Sequence, residues 1–154
     1  MPLTKVTSGV ADIADCGFHA YNSTGGSVAP TTFVKIALTS EVFDTNGVFD
    51  TTNSKYVPNV PGYYQINFGA RLTAINAGKV FLGALYKNGA VVCRIDLSGL
   101  NSVQEPSVAA SWFGAMNGTT DYLELYVYQS DSASQTVSTG AERTYMNGFL
   151  VRRT

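Results

Sequence analysis

Charged side chains are scarce in this chain of 154 residues. Lysine, arginine, aspartate and glutamate make up 14% of it, whereas about a quarter is usual for a globular domain. The net charge is −1 and the basic residues form no cluster, so the electrostatic footprint of a protein that binds nucleic acid or an anionic membrane is missing. Tyrosine, phenylalanine and glycine are plentiful instead. We expect such a domain to cover part of its surface, most simply with copies of itself.

Histidine and cysteine are also scarce, which limits the catalytic and metal sites that the chain can build. His19 is the only histidine, and Cys16 and Cys93 are the only cysteines. Cys16 and His19 have the spacing of half a zinc site, but positions three apart on a strand face opposite sides. The acidic residues include no pair suited to glycosidase chemistry, and phosphate-binding loops are absent. We therefore predict no enzyme activity, no cofactor and no metal, with both cysteines reduced.

A calcium site is an alternative for four oxygen-bearing side chains, Asp44, Asn46, Asp50 and Asn53. Calcium takes such oxygen ligands, but Asp and Asn are also the residues that close tight turns. Turn chemistry is the simpler explanation, and we expect it here.

Long apolar runs are missing as well. Residues 1–10 lack the continuous apolar core of a secretory signal, and nowhere do about eighteen apolar residues follow one another. These absences predict a protein that does not enter a membrane and that folds in the cytoplasm of the cell that makes it.

An alternating pattern over residues 55–72 predicts a half-buried strand. Pro58 and Pro61 cannot donate to a sheet ladder, so one strand ends before Gly62 and another begins there. We expect Gly62 to adopt backbone angles that are closed to branched residues. One face of the second strand carries the predicted core side chains, Tyr64, Ile66, Phe68, Ala70 and Leu72. The other face is partly polar and carries Tyr63, Gln65, Asn67, Gly69 and Arg71.

Strand and turn signals continue along the chain with almost no helical periodicity. Residues 32–39 alternate, with Val34, Ile36 and Leu38 on the side predicted to be buried. The Asn88-Gly89 pair predicts a hairpin because it accepts the positive φ angles of a type I′ turn. About eight to ten short strands at this spacing predict an all-β fold, an antiparallel jelly-roll sandwich. We place this domain at residues 17–154, preceded by an arm of residues 1–16.

Residues 121–129 suggest self-association. Leu123, Leu125 and Val127 form one face of this predicted strand, and the core needs only that face. The other face predicts an interface between copies of the chain, made of Tyr122, Glu124, Tyr126 and Tyr128. Tyrosine is favoured in interfaces because its ring buries area while its hydroxyl still bonds; the alternative is a tyrosine-decorated surface.

Trp112 and Phe113 lie on what we expect to be the neighbouring strand. Consecutive residues of a strand point to opposite faces, so one ring is expected in the core and the other in the interface. We assign Trp112 to the interface.

Several of these motifs resemble those of a known family. The corner Val60-Pro61-Gly62-Tyr63-Tyr64, the hairpin Lys87-Asn88-Gly89 and the closing Gly148-Phe149-Leu150-Val151 are similar, in this order, to the complement globular-head and tumour-necrosis-factor-like jelly rolls. The resemblance covers residues 17–154. It implies a compact homotrimer, in which residues 121–129 lie near the threefold axis. It also implies a protein that acts by assembling and binding and not by catalysis.

Residues 1–12 resemble the starts of bacteriophage fibre and head-appendage proteins. Together with the missing export signal, this predicts a structural protein on the surface of a virus particle. We expect the trimer to decorate and cement the capsid. The arm would bind the major capsid protein or another virion protein through Leu3, Val6, Val10 and Ile13. The alternative is the receptor-binding tip of a head or tail fibre, with residues 23–30 and 130–141 as loops that contact host surface glycans.

Overall fold

The computed structural model of the protein describes residues 16–154, which form thirteen β-strands and, within this range, no helix. The strands are β1 (Gly17–Tyr21), β2 (Ser27–Val28), β3 (Phe33–Lys35), β4 (Ser40–Asp44), β5 (Phe49–Asp50), β6 (Lys55–Tyr56), β7 (Gly62–Arg71), β8 (Phe81–Lys87), β9 (Ala90–Leu97), β10 (Ser107–Met116), β11 (Leu123–Gln129), β12 (Gln135–Thr136) and β13 (Tyr145–Arg153). Four of them have only two residues, and the other nine agree with the eight to ten predicted. The described residues accordingly include no helix that would cross a membrane.

Two antiparallel sheets make up the fold. The first has the strand order β10-β7-β13-β1-β4, and the second has the order β5-β6-β11-β8-β9 with β3 paired to β11 as well. Strands β2 and β12 pair separately as a short ribbon. Neighbours in a sheet are mostly distant in sequence, which is the crossing pattern of a jelly roll. The predicted fold class is confirmed.

The core lies between the two sheets. All five side chains predicted for the inner face of β7 are buried, and so are Leu123, Leu125 and Val127 of β11. Phe18 of the first sheet stacks on Tyr56 of the second, with ring centroids 4.0 Å apart. Both predicted alternations are therefore confirmed, because each strand buries one side and leaves the other for contacts outside the core.

The segment 32–39 is a shorter strand than predicted. Only Phe33–Lys35 joins the ladder. Ile36 and Leu38 are buried as expected, whereas Val34 is only partly buried. Beyond Lys35 the backbone still bonds, but irregularly: Ile36 N donates to Leu125 O at 2.8 Å, and Leu38 N donates to the Ser54 hydroxyl at 2.9 Å. At Leu38, the Ser54 hydroxyl therefore accepts the hydrogen bond that a neighbouring strand would otherwise accept.

The structure confirms the predicted Asn88-Gly89 turn, but it gives a different reason for the glycine at position 62. Asn88 and Gly89 have φ angles of 52° and 81°, as the type I′ hairpin requires. Gly62 does not have a positive φ, so the predicted reason for its glycine is wrong. Instead, a Cβ atom at Gly62 would lie 2.4 Å from Arg152 O and 2.5 Å from a methyl group of Leu150. The close approach of β13 to β7 excludes any side chain there.

Candidate self-association faces

Four of the five residues predicted for the trimer interface, namely Tyr122, Glu124, Tyr126 and Tyr128, lie together on the outward face of the second sheet. We call Tyr122, Tyr126 and Tyr128, with the neighbouring rings of Phe33 and Tyr86, the tyrosine ridge. Its three β11-side tyrosines are half-buried. Glu124 is only 9% exposed, and its carboxylate accepts from Lys35 Nζ at 2.6 Å. The carboxylate in the middle of the ridge, that of Glu124, is therefore neutralised by an ion pair.

The rings of the tyrosine ridge contact one another. Tyr86 and Tyr126 have ring centroids 4.2 Å apart, Phe33 and Tyr128 are 5.4 Å apart, and Phe33 and Tyr86 are 6.1 Å apart. Burial and the adjacent Glu124 carboxylate raise the pKa of Tyr126 above its ordinary value. Its hydroxyl therefore stays protonated near neutral pH and donates to Glu124 Oε2 at 3.4 Å.

Trp112 does not join the tyrosine ridge. Strand β10 lies in the first sheet, next to β7, and does not neighbour β11. The connection between the two strands crosses from one sheet to the other, and Asn117 Oδ1 closes it by accepting from Thr119 N and Asp121 N. The two rings do point to opposite faces, but Trp112 packs against the core and Phe113 points outward.

A second apolar surface covers the outward side of the first sheet. We call it the five-stranded face, and its large exposed apolar side chains are Phe43 (48%), Phe113 (57%), Phe149 (51%) and Val151 (41%). Tyr63 stacks on Phe113 with ring centroids 5.8 Å apart. These two rings, Val151 and Arg152 enclose a hollow of about 250 Å³. Exposed phenylalanine rings from three separate strands thus lie on one sheet surface.

A bulge in β13 helps to produce this surface. Leu150 pairs with Tyr64 and Arg152 with Tyr63, so Val151 is an extra residue without a partner in β7. An inserted residue of this kind re-aims the side chains next to it. Leu150 stays buried, while Phe149 and Val151 are both exposed.

The middle of the five-stranded face is polar. Asn67 Nδ2 donates to Asn147 Oδ1 at 3.0 Å, and the Ser111 hydroxyl donates to Asn67 Oδ1 at 2.8 Å. Beside this amide pair lies a hollow of about 340 Å³ whose lining includes His19 and Phe149. His19 Nε2 donates to Ala141 O at 3.1 Å. The lone histidine therefore has a structural hydrogen-bond partner.

Sequence reasoning missed the five-stranded face. Tyr63 was assigned to the polar outer side of its strand, and Phe149 only to a closing motif. The available signal was an aromatic residue at an outward position in three strands, namely Tyr63, Phe113 and Phe149. Recognising that these three positions meet requires knowing that β7 lies between β10 and β13.

The two loops predicted to contact host glycans do come together. Ser27–Val28 of the first loop pairs with Gln135–Thr136 of the second as the β2/β12 ribbon. Gln129 Nε2 donates to Val28 O at 3.1 Å and to Ala133 O at 3.0 Å, which ties both loops to the end of β11. The predicted 130–141 loop thus contains a short strand, and its glycan contacts stay a prediction.

The remaining candidate residues have local roles. Asp44 accepts from the backbone N of Asn46 and Phe49, and Asp50 accepts from the backbone N of Asn53. These are turn contacts, as expected. Cys16 and Cys93 are not joined by a disulfide; Cys16 Sγ accepts from Asn46 Nδ2 at 3.1 Å, and Cys93 Sγ donates to Ser111 O at 3.6 Å. Leu3, Val6, Val10 and Ile13 of the arm lie outside the described residues, so their anchoring role stays a prediction.

Comparison with known proteins identifies the fold. No protein-family model matches the chain, and no curated protein sequence does. Among solved structures, Eiger TNF from S. frugiperda aligns over 90% of this chain and 93% of its own, with a TM-score of 0.68 at 10% identity. The globular domain of zebrafish complement 1qA protein aligns over 90% of this chain and 98% of its own, with a TM-score of 0.57 at 17% identity. Murine APRIL aligns over 88% of this chain and 98% of its own, with a TM-score of 0.64 at 10% identity. At these identities the comparison establishes the jelly-roll fold alone.

Proposed function

We propose that this chain is a non-catalytic assembly protein that forms homotrimers through the five-stranded face. The observation that carries the proposal is the exposure of Phe43, Phe113, Phe149 and Val151 on one side of one sheet. Large apolar side chains cost free energy while they face water, and several of them on one sheet face mark an interaction site. Large aromatic side chains are also the residues that contribute most to protein interfaces.

The five-stranded face suits a second copy of the same chain. Its polar centre consists of neutral amides, and Asn67 and Asn147 each carry both donors and acceptors. Such a surface can satisfy a copy of itself, as closed symmetric assemblies require. Its charged residues include Arg152, whose guanidinium lies 5.7 Å from the Tyr63 ring centroid at the edge of the hollow, and Arg71, which pairs with Glu105. The family resemblance implies three copies.

The proposed setting is the surface of a bacteriophage particle. The resemblance of residues 1–12 to phage fibre and head-appendage proteins supports it. The trimer would act as a capsid decoration protein that stabilises the shell. Leu3, Val6, Val10 and Ile13 of the arm would bind the major capsid protein. The second candidate, a fibre tip that binds host glycans, is favoured by one observation, the joining of residues 23–30 and 130–141 into a single loop cluster.

Light scattering on two matched variants tests the assembly proposal. The unmodified protein should show about three chain masses at micromolar concentration. Phe113→Glu places a charge in the proposed contact and should yield monomers. Tyr126→Glu puts the same change on the tyrosine ridge and should leave the trimer intact.

The opposite pattern would show that the tyrosine ridge is the trimer contact, as the sequence alone predicts. A monomeric unmodified protein would refute self-association through either face. Cryo-electron microscopy of particles then tests the setting: knobs on the capsid surface support decoration, whereas density only at fibre ends supports the second candidate.

A further inference from the structure

The tyrosine ridge lies on the opposite side of the sandwich from the five-stranded face. Its contacting rings come from three strands, Phe33 from β3, Tyr86 from β8, and Tyr126 and Tyr128 from β11. At its far end, the ammonium of Lys55 lies 5.8 Å from the Tyr122 ring centroid. The small residues beneath it, such as Ala84, are fully covered. Phe33, Tyr86, Tyr126 and Tyr128 therefore form one connected cluster of rings over the sheet, and Tyr122 lies beyond Glu124. Each tyrosine also carries a hydroxyl.

A polar hollow adjoins the ridge. Its volume is about 310 Å³, and it is lined by Lys35, Ile36, Ala37, Thr52, Asn53 and Ser54. Lys35 joins the two features, because it lines the hollow and also pairs with Glu124 between the ridge tyrosines. The hollow is at the small end of the range for ligand sites. Its lining offers amide, hydroxyl and ammonium groups next to a layer of rings.

Two ion pairs lie on the ridge face, and Lys55 contributes a further ammonium at the Tyr122 end. Lys35 Nζ lies 2.6 Å from Glu124 Oε1, and Arg94 donates to Asp96 through Nε at 2.7 Å and through a terminal nitrogen at 2.9 Å. Arg94 and Tyr126 are both register partners of Ala84, so this second ion pair lies on the same face. A charged ligand would have to compete with these pairs. An uncharged ligand with many hydroxyl groups would not, and it could still bond to the two ammonium N–H groups that Lys35 has left over.

We infer that the tyrosine ridge and the adjoining hollow form a binding site for an uncharged oligosaccharide. The apolar C–H face of a pyranose ring is weakly positive and suits the negative face of an aromatic ring. Its hydroxyls match the donors and acceptors of Asn53, Thr52 and Lys35. The ring planes are tilted against one another by 37° to 62°, so each sugar unit would stack on a single ring. A row of such rings beside a hollow the size of a small ligand fits a chain of sugars that lies along the ridge with one unit in the hollow. This inference goes beyond the proposed assembly and does not depend on it, because the two faces belong to different sheets.

Affinity electrophoresis tests the site. The intact protein is run in native gels that contain soluble dextran, mannan or galactan, and a gel with polygalacturonate supplies the charged comparison. At least one neutral polysaccharide should retard the protein. Tyr126→Ala should weaken this retardation about tenfold or more, whereas Tyr126→Phe, which keeps the ring, should change it less than about threefold.

Matched variants separate the site from general effects. Asn53→Ala in the hollow should also weaken binding. Tyr21→Ala removes a half-buried tyrosine from the first sheet and should leave binding unchanged. Retardation by none of the neutral polysaccharides, retardation by polygalacturonate alone, or full binding by Tyr126→Ala would each overturn the inference. Capture of a protein through Tyr126 with no sugar binding would also overturn it. The oligomeric state is measured separately, so failure of the trimer would leave this result interpretable.

Discussion

Asp131 shows how one residue can hold two segments together. Its carboxylate is 1% exposed, and it accepts from Asn76 N and Asn76 Nδ2, both at 2.9 Å, from Ser132 N at 2.7 Å and from Gln135 Nε2 at 3.0 Å. The hydrogen bonds from Asn76 are the main cause that lowers the pKa of Asp131 from 3.8 to about 2. A buried carboxylate is stable here because donors surround it.

The lowered pKa predicts a specific acid sensitivity. The folded protein binds this proton less readily than the unfolded chain, so the ionised carboxylate stabilises the fold above about pH 4. That contribution is lost as the pH falls from about 4 to about 2. Asp131→Asn should lower the melting temperature at pH 7, and the difference from the unmodified protein should shrink across this window. Glu142→Gln, which removes an exposed carboxylate, is the control, and an unchanged difference from pH 7 to pH 2 would contradict the prediction.

At the scale of elements, the contact between β7 and β13 depends on the absence of side chains. Gly62 of β7 lies against the backbone of Arg152, and Gly148 of β13 lies against Gln65 O, where a Cβ would be 2.5 Å away. The bulge at Val151 lies between these two points. The bulge leaves Val151 exposed on the five-stranded face, whereas Phe149 is exposed by the regular alternation of β13.

Alanine at Gly62 tests this close approach. Its Cβ would meet Arg152 O at 2.4 Å, and backbone cannot yield as a flexible side chain can, so we expect a loss of about 3 kcal/mol in the free energy of unfolding. Gly47→Ala is the matched control, because Gly47 has a φ of 60° but no atom within 4 Å. It should cost only about 1 kcal/mol through backbone strain. Equal small losses in urea unfolding would show that β13 can move away from β7.

The whole molecule presents two different surfaces on opposite sides of one core. The five-stranded face has phenylalanine rings that are about half exposed, whereas the rings of the tyrosine ridge are half-buried and lie beside ion pairs. If the first surface is buried between copies, the second still faces outward. A trimer built in this way would display three aromatic ridges around its circumference.

The arm supplies a prediction for the assembled particle. Leu3, Val6, Val10 and Ile13 are separated by polar and small residues, too few apolar side chains for an independent core. Deletion of residues 2–14 should therefore leave the trimer folded with little change in melting temperature, but should abolish its incorporation into particles. Normal incorporation of the truncated protein would show that a face of the jelly roll, and not the arm, binds the capsid.

The sequence by itself determined the local features of this protein. Alternation at Tyr64, Ile66 and Phe68 identified a strand and its buried side, since a period of two residues depends only on the strand's own geometry. The Asn88-Gly89 pair determined its turn for the same reason, because positive φ angles are a property of those residues. The jelly-roll class followed from the number and spacing of such elements.

Only the tertiary structure decided which surfaces these elements build. Sequence placed Trp112 beside the tyrosines because β10 and β11 follow each other, but the connection between them changes sheets. It could not show that Tyr63, Phe113 and Phe149 meet, since that depends on which distant strands pair. The need for glycine at position 62 likewise comes from Arg152, ninety positions later in the chain. Strand periodicity is a local property, whereas strand order results from the packing of the whole core. The strand order decides which side chains share a surface.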